Sequence, residues 1–200
     1  MPDTGAPWNI PYVESSDLVS DWPADSLALA NAIDAGLDAA GNAGIGSNVV
    51  QTIKTDTFTT TSTSYTDITG LSVNITPSSA TSKVLVIASM MHTQTSTGAN
   101  DAYRLVRDST SLSLGDTASN RTRATIATSQ GRLPGTGQNA DNGKVSTLVV
   151  LDSPATTSAV NYHIEVSTTG TFILQATAND ADLSSEYRGT SSITAIEVAA

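Results

Sequence analysis

Along this 200-residue chain the spacing of apolar positions changes once, near residue 47. In 22–40, WPADSLALANAIDAGLDAA, Leu29, Ile33 and Leu37 recur every four residues, with Leu27, Ala30 and Ala40 beside them. Asp25, Asp34 and Asp38 fall largely off that stripe. This is the period of an amphipathic helix. Asp21 suits its N-cap, and Pro23 is tolerated in the first turn. Gly41, Gly44 and Gly46 predict its end and a flexible joint. A helix of about nineteen residues with one narrow stripe is marginal alone. The stripe therefore calls for a partner, either the rest of its own chain or copies of itself in a short bundle. Gly36, mid-helix, weakens the isolated helix or permits close approach.

From residue 47 onward the period is two. In VVQTIKTDTF, Val49, Gln51, Ile53, Thr55 and Thr57 share one face, and Val50, Thr52, Lys54, Asp56 and Phe58 the other. Leu71, Val73 and Ile75 share a face, and 83–91, KVLVIASMM, reads as a central strand. Further strands are predicted at 102–108, 122–129, 144–152, 160–168, 171–177 and 192–199. Turn residues separate them, including Thr69-Gly70, Pro77-Ser78-Ser79, Asn142-Gly143 and Thr169-Gly170. Short strands with such punctuation indicate an antiparallel β-sandwich or barrel. Thr is crowded into 49–76, where it alternates with Val, Ile, Phe and Leu. A β-branched hydroxyl residue fits a pleated strand with one wet face, so this is a half-buried strand pattern, with a loose loop only at 59–64. The segment 130–143 is a surface loop rich in Gly and Asn, the kind of element that carries binding.

Residues 1–20 read differently. Pro2, Pro7 and Pro11 forbid a regular helix, yet Trp8, Ile10, Tyr12 and Leu18, with Trp22 just after, are too apolar for an idle tail. Such an extended arm either folds back on its own domain or anchors in another protein through main-chain bonds and pockets. Three regions follow: an arm at 1–20, a helix and glycine hinge at 21–46, and a β-sandwich at 47–200.

Composition narrows the reading. Charged residues make up 14% of the chain, while it holds 30 Thr and 26 Ser; disordered chains usually combine low hydrophobicity with high charge. Of the 19 acids behind the net charge of -10, seven precede residue 47, where there is no Lys or Arg. That head disfavours nucleic acid, which needs clustered bases, and suits docking on a basic surface. With no cysteine there are no disulfides or thiolate metal sites. No secretory signal pattern and no membrane-spanning run is visible.

Catalytic chemistry is not evident. His92 and His163 follow no metal spacing, no G-x-S-x-G or phosphate loop is present, and Glu165, Glu186 and Glu197 are scattered. The NADNG (139–143) and NDAD (179–182) stretches lack the twelve-residue calcium pattern. The sequence thus predicts no enzyme, no metal and no cofactor. Five of nine bases fall between 104 and 132: Arg104, Arg107, Arg121, Arg123 and Arg132. Two-residue spacing puts Arg121 and Arg123 on one strand face, and with Arg132, Asn139 and Asp141 they are the candidate contacts for a cell-surface glycan or protein. Pairing with nearby Asp residues is the plainer use of these Arg side chains.

The sequence as a whole, with its WNIPY arm, LVSDWPADSLALANAIDAGLDAA, a glycine hinge, GSNVVQTIKTDTFTTTSTSYTDITGLSVNITPSSATSKVLVIASMM and a closing SSITAIEVAA, resembles small tail-fibre or virion-fibre proteins of tailed bacteriophages. The resemblance covers the arm, the helix, the first strands and the last strand, not 95–145. It implies a homotrimer assembled in the host bacterial cytoplasm and located on the virion. Trp8, Ile10, Tyr12, Leu18 and Trp22 would anchor it to a tail or capsid protein, Leu29, Ile33 and Leu37 would form the helix seam, and a jelly-roll-like β domain would project for host attachment. The alternative within the same family is a capsid decoration or head-fibre protein that binds the coat protein.

Overall fold

The computed structural model describes residues 22–42, 45–95, 98–129, 143–178, 180–184 and 186–199. It begins with α1 (Trp22–Asn42), and the next element in the chain is β1 (Ile45–Lys54). The helix continues through Gly41, two residues past the predicted end. The proposed N-cap Asp21 and the arm residues Trp8, Ile10, Tyr12 and Leu18 lie outside the described residues.

The rest is mainly β, in two antiparallel sheets that fit a β-sandwich. The first sheet holds β1, β2 (Phe58–Thr60), β4 (Lys83–Gln94), β8 (Lys144–Asp152), β10 (Phe172–Leu174) and β11 (Ser191–Val198). β11 lies between β1 and β4, and β8 runs along the other side of β4 from Asp152 to Lys144. β10 continues the line of β11 beside Gln94, Thr93 and His92, with β2 outside it. The second sheet holds β3 (Thr66–Ile75), β5 (Asn100–Arg107), β6 (Thr110–Leu112), β7 (Ile126–Ser129) and β9 (Val160–Thr168). β9 lies between β3 and β5, and β6 and β7 share the far edge of β5.

The period of two sets the core. Leu71, Val73 and Ile75 from β3 and Tyr162, Ile164 and Val166 from β9 face Val84, Val86, Ala88 and Met90 from β4, with Leu148, Ile193 and Ala195 alongside. Alternate residues point inward because successive Cβ atoms leave a strand on opposite sides. Near one end the core turns polar. His92 Nε2 lies 2.8 Å from Ser146 Oγ, the Tyr103 hydroxyl lies within 3.2 Å of the His92 ring, and Asp101 lies beside both. Phe172 stacks on His92 at 5.5 Å. Burial, helped by nearby Lys144, holds the His92 imidazole down to about 4, and burial raises Tyr103 and Asp101. His92 is thus a core histidine, neutral near pH 7.

Two expectations need correction. The strand predicted at 122–129 begins only at Ile126. Before it, Ala124 and Thr125 bond to Gly115, Tyr103 and Leu112, which pulls 121–125 into a loop strapped across β5 and β6. Arg121 and Arg123 are therefore not a strand-face pair. The loop predicted at 59–64 also yields its first residues to β2, because Phe58 packs against the core beside Phe172.

Candidate interaction face

The inner faces of the sandwich are apolar, as its core requires. The outer faces differ from each other. On the second sheet the outward residues are mostly polar and charged: Asp67, Ser72 and Asn74 on β3, Asn161, His163, Glu165 and Ser167 on β9, and Arg104 on β5, with Ala102 and Val106 also on the outer side of β5. That is the usual solvent face of an antiparallel sheet.

The first sheet has the opposite character. Its outward positions are Val49, Gln51 and Ile53 on β1, Ser192, Thr194, Ile196 and Val198 on β11, Leu85, Ile87, Ser89 and Met91 on β4, and Val145, Thr147, Val149 and Leu151 on β8. The ladder registers place them in rows: Val49–Ile196–Leu85–Leu151, Gln51–Thr194–Ile87–Val149 and Ile53–Ser192–Ser89–Thr147, with Met91 opposite Val145. Lys83, at one end of β4, is the single charged residue pointing out from these four strands among the described residues. Val49, Ile53, Val145, Val149 and Leu151 are 51–69% exposed.

At about 4.8 Å between strands and 3.3 Å per residue, four strands with three full rows span roughly 19 by 20 Å, about 400 Å² of sheet plane. Five of the twelve positions in these rows are polar but uncharged (Gln51, Thr194, Ser192, Ser89 and Thr147), so the apolar part is the Val49–Ile196–Leu85–Leu151 row with Ile87, Val149 and Ile53 beside it, and exposed apolar surface of this kind marks an interaction site. The edges strengthen the point. Among the described residues β1 and β8 each have one unpaired side, and flat apolar edge strands readily pair with other chains. β1 also points Val49 and Ile53 outward, with Val50 against the core, while Lys54 turns inward, buried, to bond Asp56 at 2.6 Å.

The helix carries a second such surface. Leu27, Ile33 and Leu37 are 46–65% exposed and Leu29 is half-buried. Of the proposed seam, Ile33 and Leu37 are therefore only partly covered within the described chain. Gly36 has nothing within 4 Å of an added Cβ, so no neighbour in the described chain requires it.

The proposed receptor contacts do not converge. Arg123 donates from Nε to the Gly115 carbonyl at 2.6 Å, and its own carbonyl accepts from the Tyr65 hydroxyl at 2.7 Å. Its guanidinium thus holds its own loop. Arg121 stands apart, lining a cleft of about 750 Å³ with Asn100, Asp101, Thr128 and Thr169. Arg132, Asn139 and Asp141 lie outside the described residues, as does most of NADNG. Of the other Arg side chains, Arg107 pairs with Asp152 at 2.6 Å and Arg188 with Asp180 at 2.8 Å. Trp22 lies in the first turn of α1.

The three glutamates stay apart. Glu186 accepts from Thr177, and Glu165 meets Asp67 and His163. Glu197 is buried; burial opposes its ionisation, but bonds from Ser78 Oγ and N and from Asn48 hold its carboxyl down to about 2. Sequence reasoning missed the outer face of the first sheet. Its signal was present in KVSTLVVLD, where both alternating sets hold aliphatic residues.

No family model matches the chain, and no curated protein matches it in sequence. Among solved structures, the crystal structure of the infectious bursal disease virus VP2 subviral particle is similar over 78% of this chain and 39% of that one, at 12% identity and a TM-score of 0.33. A likeness this loose carries no argument about function.

Proposed function

We propose that this chain is a structural virion protein of a tailed bacteriophage. In this reading it is a homotrimeric fibre anchored by its N-terminal arm, with a jelly-roll-like β domain projecting for host attachment. The observation that carries the self-association is the uncharged outer face of the first sheet beside the charged outer face of the second.

The occupant of that face is a second copy of the chain. A docking site for an unlike acidic or basic partner would carry matching charge, and this face holds only Lys83 at its end. Covering its five well-exposed aliphatic side chains contributes about 1 kcal/mol each. The α1 stripe, which precedes β1 in the chain, adds contact area in the same assembly. The sheet face alone is well below the roughly 800 Å² per partner of a standard interface, so face and helix act together. A closed three-fold arrangement keeps the three helices parallel and leaves all three N-termini at one end. That geometry suits an arm that anchors in a tail or capsid protein, with the second sheet turned outward to a host glycan or protein.

Particle composition tests the assignment. The chain is expected in purified virions, and deletion of residues 1–20 is expected to remove it from particles while the β domain keeps its far-UV circular dichroism. Retention of the deletion variant on virions would overturn the anchoring arm. Absence of the full chain from virions would overturn the reading as a whole. Particles whose capsids, rather than tails, carry the protein would favour the decoration alternative.

A further inference from the structure

The solvent face of the second sheet holds one convergent group. Asp67 on β3 lies directly across the ladder from Glu165 on β9, and His163, two residues before Glu165, shares its face. One ligand atom from each lies within 4.8 Å of the others.

The surroundings orient the imidazole. Asn161 Nδ2 donates to Asn74 Oδ1 at 2.8 Å, which turns Asn161 Oδ1 toward His163 Nδ1 at 3.0 Å. An amide oxygen only accepts, so Nδ1 carries the proton and donates it. That bond leaves Nε2 turned toward Asp67 Oδ1. Such an outer hydrogen bond to the far ring nitrogen is how metal-binding histidines are oriented. Here the ring stands against two carboxylates, so three groups able to ligate a metal converge.

One of the three spacings is that of a tetrahedral ion. A tetrahedral ion with N and O ligands at about 2.0–2.1 Å holds its ligand atoms about 3.3 Å apart. His163 Nε2 lies 3.3 Å from Asp67 Oδ1. A charge-assisted N–H···O bond closes to about 2.7–2.9 Å. The ladder is also interrupted here: the register shifts between Asp67 and Ser72, with Gly70 at φ +82°. Bulges re-aim side chains beside functional sites. The neighbouring cation is engaged elsewhere. Arg104 stands across from Glu165 on β5, but its guanidinium lies 3.5 Å over the Tyr65 ring and its Nε donates to the Arg123 carbonyl.

We propose that Asp67, His163 and Glu165 bind one divalent transition-metal ion of the zinc type, with its fourth position open to water. Imidazole with carboxylates suits zinc over calcium or magnesium, which prefer all-oxygen shells. The ion ties β3 to β9 across the bulge. This site is independent of the assembly reading and stands or falls without it.

Calorimetric titration of the chelator-stripped full chain with zinc chloride tests it. One zinc per chain is expected, with affinity reduced at least tenfold in His163→Ala and in Asp67→Asn and the far-UV spectrum unchanged. With cobalt chloride, the wild type is expected to show the intense visible absorption of tetrahedral cobalt, and His163→Ala to lose it. No saturable zinc binding, zinc binding undiminished in His163→Ala, or binding of calcium in preference to zinc would each overturn the proposal. If either variant fails to fold, Glu165→Gln with the cobalt spectrum decides in the same way.

Discussion

Leu85 on β4 and Leu151 on β8 are direct cross-strand partners whose side chains both point away from the sandwich core. Ile196 on β11 continues the row on the other side of Leu85, and Val49 on β1 ends it. In a sandwich with water on both outer faces such a row would hold polar residues. An aliphatic row across four strands is how a sheet prepares to be covered, and the account of this chain as an assembling structural protein rests on it.

Val149→Asp tests the face at an aliphatic side chain that is 62% exposed. A charge buried without a partner costs several kcal/mol, so the dissociation midpoint of the proposed trimer is expected to rise by at least a hundredfold. Analytical ultracentrifugation measures the shift, and far-UV circular dichroism should match the wild type because the Val149 side chain lies outside the core.

Ile33→Asp tests the helix in the same way. Ile33 is the middle residue of the stripe and is partly exposed within one chain. The expected outcome is a weaker trimer, with a smaller effect than that of Val149→Asp, because one helical turn is lost rather than part of a sheet face. A light-scattering mass unchanged on dilution would remove the helix from the seam.

Much of the fold was legible because strand alternation and turn residues are local signals. Leu71, Val73 and Ile75 declared their face by spacing alone, and 160–168 was read with its observed ends. The loop at 121–125 was not legible. Its residues have strand propensity, but Thr125 bonds to Tyr103 and Leu112, a tertiary arrangement that no local pattern reports. The outer face was half legible: VVQTIK showed an alternation with apolar residues on both sides, and which side faces the core depends on the β1–β11 register. The same limit hid the grouping of Asp67 with His163 and Glu165. His163 and Glu165 share a face by spacing, but Asp67 joins them only through a ladder that pairs residues 98 positions apart.

Acid titration should show two separate losses of stability. His92 is held down to about 4 by burial, against an ordinary value of 6.5. The unfolded chain therefore takes up a proton that the folded core refuses. The contribution is complete above pH 6.5 and is lost as pH falls from 6.5 to 4, at most about 3 kcal/mol. Glu197 is held down to about 2, below the ordinary 4.5, by the bonds from Ser78 and Asn48 outweighing its burial. Its contribution is present above pH 4.5 and is lost as pH falls toward 2. Asp101, raised by burial, acts in the opposite sense. Urea unfolding of His92→Gln is expected to show a flatter pH dependence than the wild type between pH 6.5 and 4.

Asp152→Ala is expected to cost about 2–3 kcal/mol. Asp152 accepts from Arg107 at 2.6 Å and from the buried Tyr162 hydroxyl at 2.7 Å. Its removal leaves two donors at the β8–β9 end of the sandwich without their acceptor. Chemical denaturation measures the loss, and Tyr162→Phe alone should cost about 1 kcal/mol.

Leu71→Ala should be the more damaging core change. Leu71 is fully buried in the bulged region of β3, and a truncation there leaves a cavity at a cost of about 2–5 kcal/mol. A thermal unfolding midpoint within a degree of the wild type would show that the bulge collapses to fill it.

The solution mass of the purified full chain, by light scattering across a dilution series, bears most directly on the central claim. The account predicts three times the 20.5 kDa chain mass, falling to one chain in Val149→Asp. A wild-type mass of one chain throughout the series would contradict it, because the aliphatic face from Val49 to Leu151 would then stand open to water.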